Sequence, residues 1–317
     1  MQVAHLSCRS VFAASSAPGD YPTKPLRLIV PFGAGGGSDL LARTLAMALG
    51  ESLKQTVIVE NISGAGGTIG ATQTAQASAD GYTLMAGTPG PILINPAMQE
   101  GMRYDAKKDF VAVSQFSDSP VVLVVNNDLP VKSVQDLIDL ARKQPGRINY
   151  GSAGRGSIAD LSAQLFNHLA GVELNHVPYR SGSQSLTDLR SGVIQVVFEN
   201  LPPALNLIEL GQVRVLGVGS TQPSRFLPAV PTIAQAGVPG YQSTSWLGLF
   251  APANLPINVL SRLESAARSA VELPKVLDAL KRLGADPVGS SSAAFELFLG
   301  QRREAIASLV QATGMKM

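Results

Sequence analysis

Pro31-Phe-Gly-Ala-Gly-Gly-Gly-Ser-Asp39 lies between an apolar run, Leu26-Arg-Leu-Ile-Val30, and Leu40-Leu-Ala-Arg-Thr-Leu-Ala-Met-Ala-Leu49. In the second of these Leu41, Leu45, Ala48 and Leu49 recur at helical spacing, so the stretch reads as a buried strand turning through glycines into a helix. Such a turn exposes backbone N–H groups at the helix start, where the positive end of the helix dipole adds to their preference for an anion. Glycine suits the place because a Cβ blocks both a positive φ and close approach of a ligand to the backbone. A plain turn capped by Ser38 or Asp39 is the competing reading. A P-loop is excluded, since Gly36-Gly37-Ser38 brings no lysine, and Ser38 stands where the dinucleotide pattern needs glycine or alanine.

A second unit repeats the first. Thr56-Val-Ile-Val-Glu60 reads as a strand, Asn61-Ile-Ser-Gly-Ala-Gly-Gly-Thr-Ile-Gly70 as a glycine loop, and Ala71 to about Ala77 as a helix. Gly33-Ala-Gly-Gly and Gly64-Ala-Gly-Gly are the same four letters at equivalent places. This suggests two loops facing one ligand from neighbouring strand ends, the crevice expected in open α/β sheets. Tyr82 to Gly87 is a further strand, and Thr88 sits at its end with a hydroxyl to offer.

Two separate buried strands are expected at Val111–Val113 and Pro120–Val125, and a capped helix from Ser133. Ile148-Asn-Tyr150 then opens a third glycine loop, Gly151-Ser-Ala-Gly-Arg-Gly-Ser157, before a helix from Ile158 to Leu169. Gly154-Arg-Gly156-Ser-Ile-Ala159 formally fits the dinucleotide fingerprint, with Glu173 near the expected acidic position, but the pattern is short and common. Strands at His176–Tyr179, Val193–Phe198 and Arg214–Gly219 follow, then a proline-rich stretch, a strand at Ser245–Phe250 and three C-terminal helices. Alternating strands and helices predict an α/β protein with mainly parallel sheets.

The 317 residues allow two compact lobes, and 45% hydrophobic against 15% charged residues indicates a well-cored chain with a sparsely charged surface. A net charge of +2, without a basic cluster, argues against nucleic acid. The single cysteine, Cys8, forbids an intrachain disulfide, and His5, His168 and His176 share no metal-ligand spacing. His168 reads as an exposed helix residue and His176 as a strand-edge hydrogen-bonder. No metal and no cofactor is expected. No apolar run approaches the ~20 residues of a membrane span. Residues 1–20 resemble the end of an export signal, yet Val11-Phe-Ala-Ala14 falls short of the roughly 7–15 apolar residues such a signal needs, so the start reads as truncated or atypical.

Catalytic machinery is not evident. There is no Gly-x-Ser-x-Gly elbow, and Ser38, Ser152 and Ser157 have no histidine partner that the sequence reveals. Glu199, at a strand end, is open to reading as a general base, a partner for a ligand amine or a group fixing a loop; without a second carboxylate or histidine nearby the non-catalytic readings are preferred. Several glycine loops with few titratable side chains suit holding an anion without reacting with it.

Taken in order, six segments resemble the receptors of tripartite tricarboxylate transporters, the Bug-type periplasmic binding proteins. They are Pro25–Asp39, Glu60–Gly70 with Ala79–Leu84, Gly151–Ser157, His176–Tyr179, Pro231–Gly240 and Trp246–Pro252. The resemblance implies a two-lobed type II periplasmic-binding-protein-like fold, each lobe a mainly parallel sheet flanked by helices, with a ligand cleft between lobes. It implies a small organic carboxylate held by Phe32, Gly33 and Ala34, by Ala65, Gly66, Gly67 and Thr68, by Thr88, and from the second lobe by Ser152, Gly156, Ser157, Tyr179 and Glu199. Asp160, Ser181, Gln195 and Glu199 depart from the residues usual in the family.

The expectation is therefore a non-enzymatic, monomeric, periplasmic receptor that delivers its ligand to membrane transporter subunits or a signalling partner. Lobe one is expected over 21–120 and 245–317 and lobe two over 121–244, with hinges near Pro120-Val121 and Thr244-Ser245. The rivals are a nicotinamide-dependent oxidoreductase using the third loop and a cytoplasmic effector-sensing module of similar fold.

Overall fold

The computed structural model describes residues 21–313, so the expected export segment lies outside the described residues. Strand β1 (Leu26–Val30) is almost wholly buried and feeds helix α1 (Gly37–Leu53) through the first glycine loop. The second unit pairs β2 (Val57–Asn61) with helix α2, which begins at Thr68, earlier than the apolar pattern indicates, and ends at Ala75. After β3 (Thr83–Gly87) the chain makes one wide helical turn, Gly90–Ile94, and runs directly into a short helix α3 (Asn95–Met98) where a simple exit loop is expected.

The two strands expected near Val111 and Val121 are one. Strand β4 runs unbroken over sixteen residues, Phe110–Val125, and all but a few of its side chains are buried. Ser114, Gln115, Ser117 and Ser119 break the apolar pattern that would have announced continuity, yet the backbone keeps its pairing with a later strand, shifting register between Ala112 and Ser114 and again between Gln115 and Ser117. Then come α4 (Val134–Lys143), β5 (Asn149–Ser152), α5 (Ile158–Ala170), β6 (Asn175–Pro178), α6 (Gly182–Arg190), β7 (Val196–Asn200), α7 (Leu201–Glu209) and β8 (Arg214–Val218). The chain closes with β9 (Thr244–Pro252), α8 (Ile257–Ala270), α9 (Pro274–Arg282), the short β10 (Asp286–Pro287) and α10 (Ser292–Thr313).

Strand β4 changes partners along its length. From Phe110 to Pro120 it pairs with β9; from Val121 to Val125 it pairs with β7, while β8 takes its other edge from Val122 onward. The sheet order is β2-β1-β3-β9-β4-β7-β5-β6, giving two lobes strung on one strand. The outer strands pair in parallel, as expected, whereas β9, β4 and β7 meet their neighbours at the centre antiparallel. Both faces of each half are covered. Leu41, Leu45 and Leu49 of α1 meet Leu263 and Ala267 of α8 over one face of the first lobe, and Trp246, Phe250 and Phe295 pack under α10 on the other. In the second lobe Phe166 of α5 packs tilted against Phe198 and edge-on to Tyr241 on one face, and Leu186 and Leu189 of α6 meet Leu201 and Leu205 of α7 on the other. Helix starts thereby collect at the strand ends that face the seam between the lobes.

Candidate functional site

The three glycine loops meet across that seam. Gly33 N–H donates to Arg180 O at 3.2 Å and Ser183 Oγ donates to Ala34 O at 3.2 Å, so the first loop of lobe one lies on the start of α6 in lobe two. Gly66 faces the third loop so closely that a Cβ there would sit 2.2 Å from Arg155 O, and one at Gly90 would sit 3.1 Å from Gly156 O. The twin loops are neighbours as well, since the Phe32 ring lies 3.2 Å from where a Cβ of Gly67 would stand.

Local chemistry shapes each loop. Ala65, Gly66 and Gly67 run consecutively at positive φ (47°, 60° and 93°), a conformation that Ala65 adopts at a cost glycine avoids. Fully buried Asn95 holds them there, its Nδ2 donating to Gly66 O and to Thr68 Oγ1, both at 3.0 Å. In the first loop Asp39 does not cap α1. Its carboxylate accepts Gly35 N–H at 2.9 Å, Arg43 Nε at 3.0 Å and Asn61 Nδ2 at 3.0 Å. Burial alone would raise its carboxyl, but these bonds outweigh burial and hold it below the usual carboxylate range.

The third loop has its own buried carboxylate. Asp160 accepts Gly156 N–H at 3.0 Å, Tyr150 Oη–H at 2.9 Å and Gln164 Nε2 at 2.8 Å. Ser157 caps α5 by accepting Asp160 N–H, and the Tyr150 ring stacks on His176 with centroids 4.8 Å apart. Contrary to the sequence reading, Ser152 does have a histidine partner, His176 Nε2 at 2.7 Å. The chain folds residues 152 and 176 onto adjacent parallel strands, which no spacing rule exposes. Asp160 Oδ1 approaches the same Nε2, at 3.7 Å, so serine and carboxylate share one ring nitrogen instead of taking one each as a hydrolase triad requires. Burial lowers the His176 pKa, Asp160 opposes this and Arg155 adds to it, so the imidazole is neutral near pH 7 and the contact is not an ion pair.

Several expected ligand groups are thus already bonded within the chain. The Tyr179 hydroxyl donates to Asp188 Oδ2 at 2.8 Å, Ser152 and Ser157 serve the third loop, and Thr68 Oγ1 serves Asn95. Gly33 and Gly156 have spent their N–H groups as described above. The amides of Phe32 and Ala34 have no acceptor among the described residues, and Thr88 is buried at the end of β3 beside them. Glu199, the penultimate residue of β7, is buried, one carboxyl oxygen accepting Asn200 N–H at 2.9 Å. The departures at Asp160, Ser181 and Gln195 all serve the framework: Ser181 caps α6, and Gln195 Oε1 accepts Asn149 N–H. Asn95 is the framework residue that no sequence motif picks out; Asn61 and His176 lie within the motif segments, but their partners come from distant parts of the chain. Among the described residues no three potential ligands are placed to hold a metal, and no helix is long and apolar enough to cross a membrane.

Comparison with known proteins supplies the lineage. The model of the tripartite tricarboxylate transporter family receptor matches residues 41–315. Protein BugT of Bordetella pertussis is 34% identical over 306 residues, covering 96% of this chain and 94% of its own. An R. palustris protein solved with adipate superimposes with a TM-score of 0.90 at 35% identity, over 93% of this chain and 99% of that one. MatC from Rhodopseudomonas palustris, solved with bound malate, gives a TM-score of 0.88 at 28% identity, over 92% and 100%. With the fold, the seam and these likenesses agreeing, the chain belongs to the tripartite tricarboxylate transporter receptors of the Bug type.

Proposed function

We propose that this chain is a periplasmic receptor that closes its two lobes on a small organic carboxylate and presents it to membrane transporter subunits or to a signalling partner. The observation that carries this reading is the meeting of glycine loops from both lobes at one seam, with the N-termini of α1, α2, α5 and α6 around it. Helix starts and free amides favour an anion there. Relatives solved with adipate and with malate support a carboxylate as that anion.

In this reading lobe one is 21–120 with 245–317 and lobe two is 121–244, and the chain bends at Pro120-Val121, where β4 changes partners, and at Thr244-Ser245, where β9 begins. The ligand-facing groups are Phe32, Gly33, Ala34, Ala65, Gly66, Gly67, Thr68 and Thr88 from the first lobe. The second contributes Ser152, Gly156, Ser157, Tyr179 and Glu199, those with internal bonds acting through the shape they give the loops. The receptor acts as a monomer without chemistry on its ligand. A dinucleotide reading of the third loop is disfavoured because the buried Asp160 carboxylate occupies the Gly156 N–H that a pyrophosphate would need.

A thermal-shift screen of the chain over di-, tri- and aromatic carboxylates tests the proposal. An acid at about 100 times its Kd should add roughly 2.7 kcal/mol of stability. Stabilisation by a nicotinamide dinucleotide, with none by any carboxylate, would replace the receptor reading with the oxidoreductase one.

A further inference from the structure

Glu199 is buried in an unusual way. Its side chain is 4% exposed, and its second carboxyl oxygen has no hydrogen-bond partner among the described residues. Gly182 leaves room for it, since a Cβ on that residue would stand 1.8 Å from Glu199 Oε2. Above this pair passes the first glycine loop of the other lobe. A Cβ at Gly36 would lie 3.7 Å from Gly182 N, and one at Gly37 would lie 3.2 Å from Asn200 Cβ and Nδ2. The carboxyl is therefore covered by a turn that the opposite lobe seals.

Charged groups on the surrounding elements are engaged elsewhere or point outward. On α6, Asp188 accepts the Tyr179 hydroxyl and Arg190 donates to Gln212, while Arg180 before it is exposed. On α1, Asp39 is held by Arg43 and Asn61; on β8, Arg214 donates to the carbonyls of Leu129 and Val131. Glu209 of α7 and Arg282 of α9 are exposed, and β4 presents Val122. No cation offsets the burial of Glu199; only Asn200 N–H does so.

We propose that closing the lobes traps a proton on Glu199, so that the receptor captures its anion and a proton together. This rests on the carboxylate-receptor reading and adds a second species to what is bound. Burial raises the Glu199 pKa to about 7 in the closed form, whereas opening the seam lets water reach the carboxyl and returns it toward the ordinary value. The closed state then binds more protons than the open one, so the sign is fixed: ligand affinity rises as pH falls through the range just below 7.

The test is calorimetric titration of the full chain with adipate, in buffers of different ionisation enthalpy. At pH 7 about half a proton should be taken up per adipate bound, and the Kd should be about fourfold tighter at pH 6.5 than at pH 8. In Glu199→Gln both the uptake and the slope should vanish, whatever the absolute Kd. Uptake that persists in Glu199→Gln, or is missing from the natural chain that binds adipate, overturns the proposal. Failure of the natural chain to bind adipate counts instead against the receptor reading for that acid. Carboxyl ¹³C NMR of the natural chain, free and saturated with a carboxylate from the thermal-shift screen, then decides the proton question, and also does so if the variant does not fold: a Glu199 midpoint that rises to near 7 on binding upholds it and a midpoint unchanged by binding overturns it.

Discussion

Asp39 and Asp160 occupy the same place in different lobes. Each is the third residue of its helix, and each accepts the N–H of the left-handed glycine four residues earlier, Gly35 at 2.9 Å and Gly156 at 3.0 Å. The two lobes thus build their seam-facing loops with one device, a buried carboxylate that folds a glycine turn back onto its helix.

Asp160→Ala tests the device in lobe two. It leaves Gly156 N–H, the Tyr150 hydroxyl and the Gln164 amide without their acceptor. Each buried donor left unpaired costs about 1–3 kcal/mol. Differential scanning fluorimetry should show a fall in melting temperature of roughly 5 °C or more, and carboxylate affinity should drop with it. An unchanged melting temperature would mean that the network is not holding the loop.

Asp39 contributes to the acid side of the stability profile. Its folded pKa is depressed, so its contribution is present above the unfolded carboxylate pKa and is lost as pH falls through the lower folded value. Asp39→Asn should flatten the acid limb of a melting-temperature-against-pH curve relative to the natural chain. A parallel acid limb in the variant would assign that limb to other carboxylates.

Asp118 has the opposite sign. Burial raises its pKa to about 6, Arg302 and Gln115 lower it and Asp286, paired with it across β4 and β10, raises it again. A raised carboxylate makes the folded state the better proton binder, so stability is lost as pH climbs from the ordinary value to about 6 and is level above that. Asp118→Asn keeps an acceptor for Gln115 and removes the charge. It should stabilise the chain by about 1–3 kcal/mol at pH 8, with little gain at pH 4, as chemical denaturation would report.

Gly66→Ala separates closure from folding. Its Cβ would meet Arg155 O at 2.2 Å across the seam, whereas Gly211→Ala places a Cβ in open space at a comparable positive φ. Both should lose about 1 kcal/mol to backbone strain. Only Gly66→Ala should weaken carboxylate binding and enlarge the radius of gyration of the liganded chain in small-angle scattering. Equal affinities for the two variants would show that the second and third loops need not touch.

Phe295→Ala probes the attachment of α10. Phe295 is fully buried, edge-on to Trp246 at 5.5 Å and tilted to Phe250 at 5.2 Å. Removing a buried aromatic costs about 3–5 kcal/mol, and amide exchange should rise along α10 before it rises in β4.

The sequence makes the glycine loops conspicuous because a turn of positive φ leaves a compositional trace, and helix α4 announces itself through its Ser133 cap, whereas the Ser157 cap of α5 emerges only in the structure. What it hides is whatever depends on pairing at a distance. Strand β4 looks like two because Ser114, Gln115, Ser117 and Ser119 interrupt the hydrophobic run, yet Ser114 and Gln115 find their partners, Ser290 and Asp118, only in the fold. The Ser152–His176 contact is invisible for the same reason, as are Asn95 under the second loop and the commitment of Tyr179 to Asp188. Residue type told where the loops are; only their neighbours tell which donors those loops have left.

Strand β9 lies between β3 and β4, although it is made long after both. As the chain emerges from a ribosome or a translocation pore, β4 to β8 can pair and bury the core of the second lobe while β3 still lacks its neighbour. The first lobe waits for Met85 to find Phe250 and for α8 to cover α1, contacts of long sequence separation that form slowly. Until then Leu84, Met85 and Ala86 present an apolar, unpaired strand edge, the kind of surface on which nascent chains aggregate. The second lobe is therefore the natural nucleus, and the interval before residues 244–252 arrive is when this receptor most needs a holding chaperone.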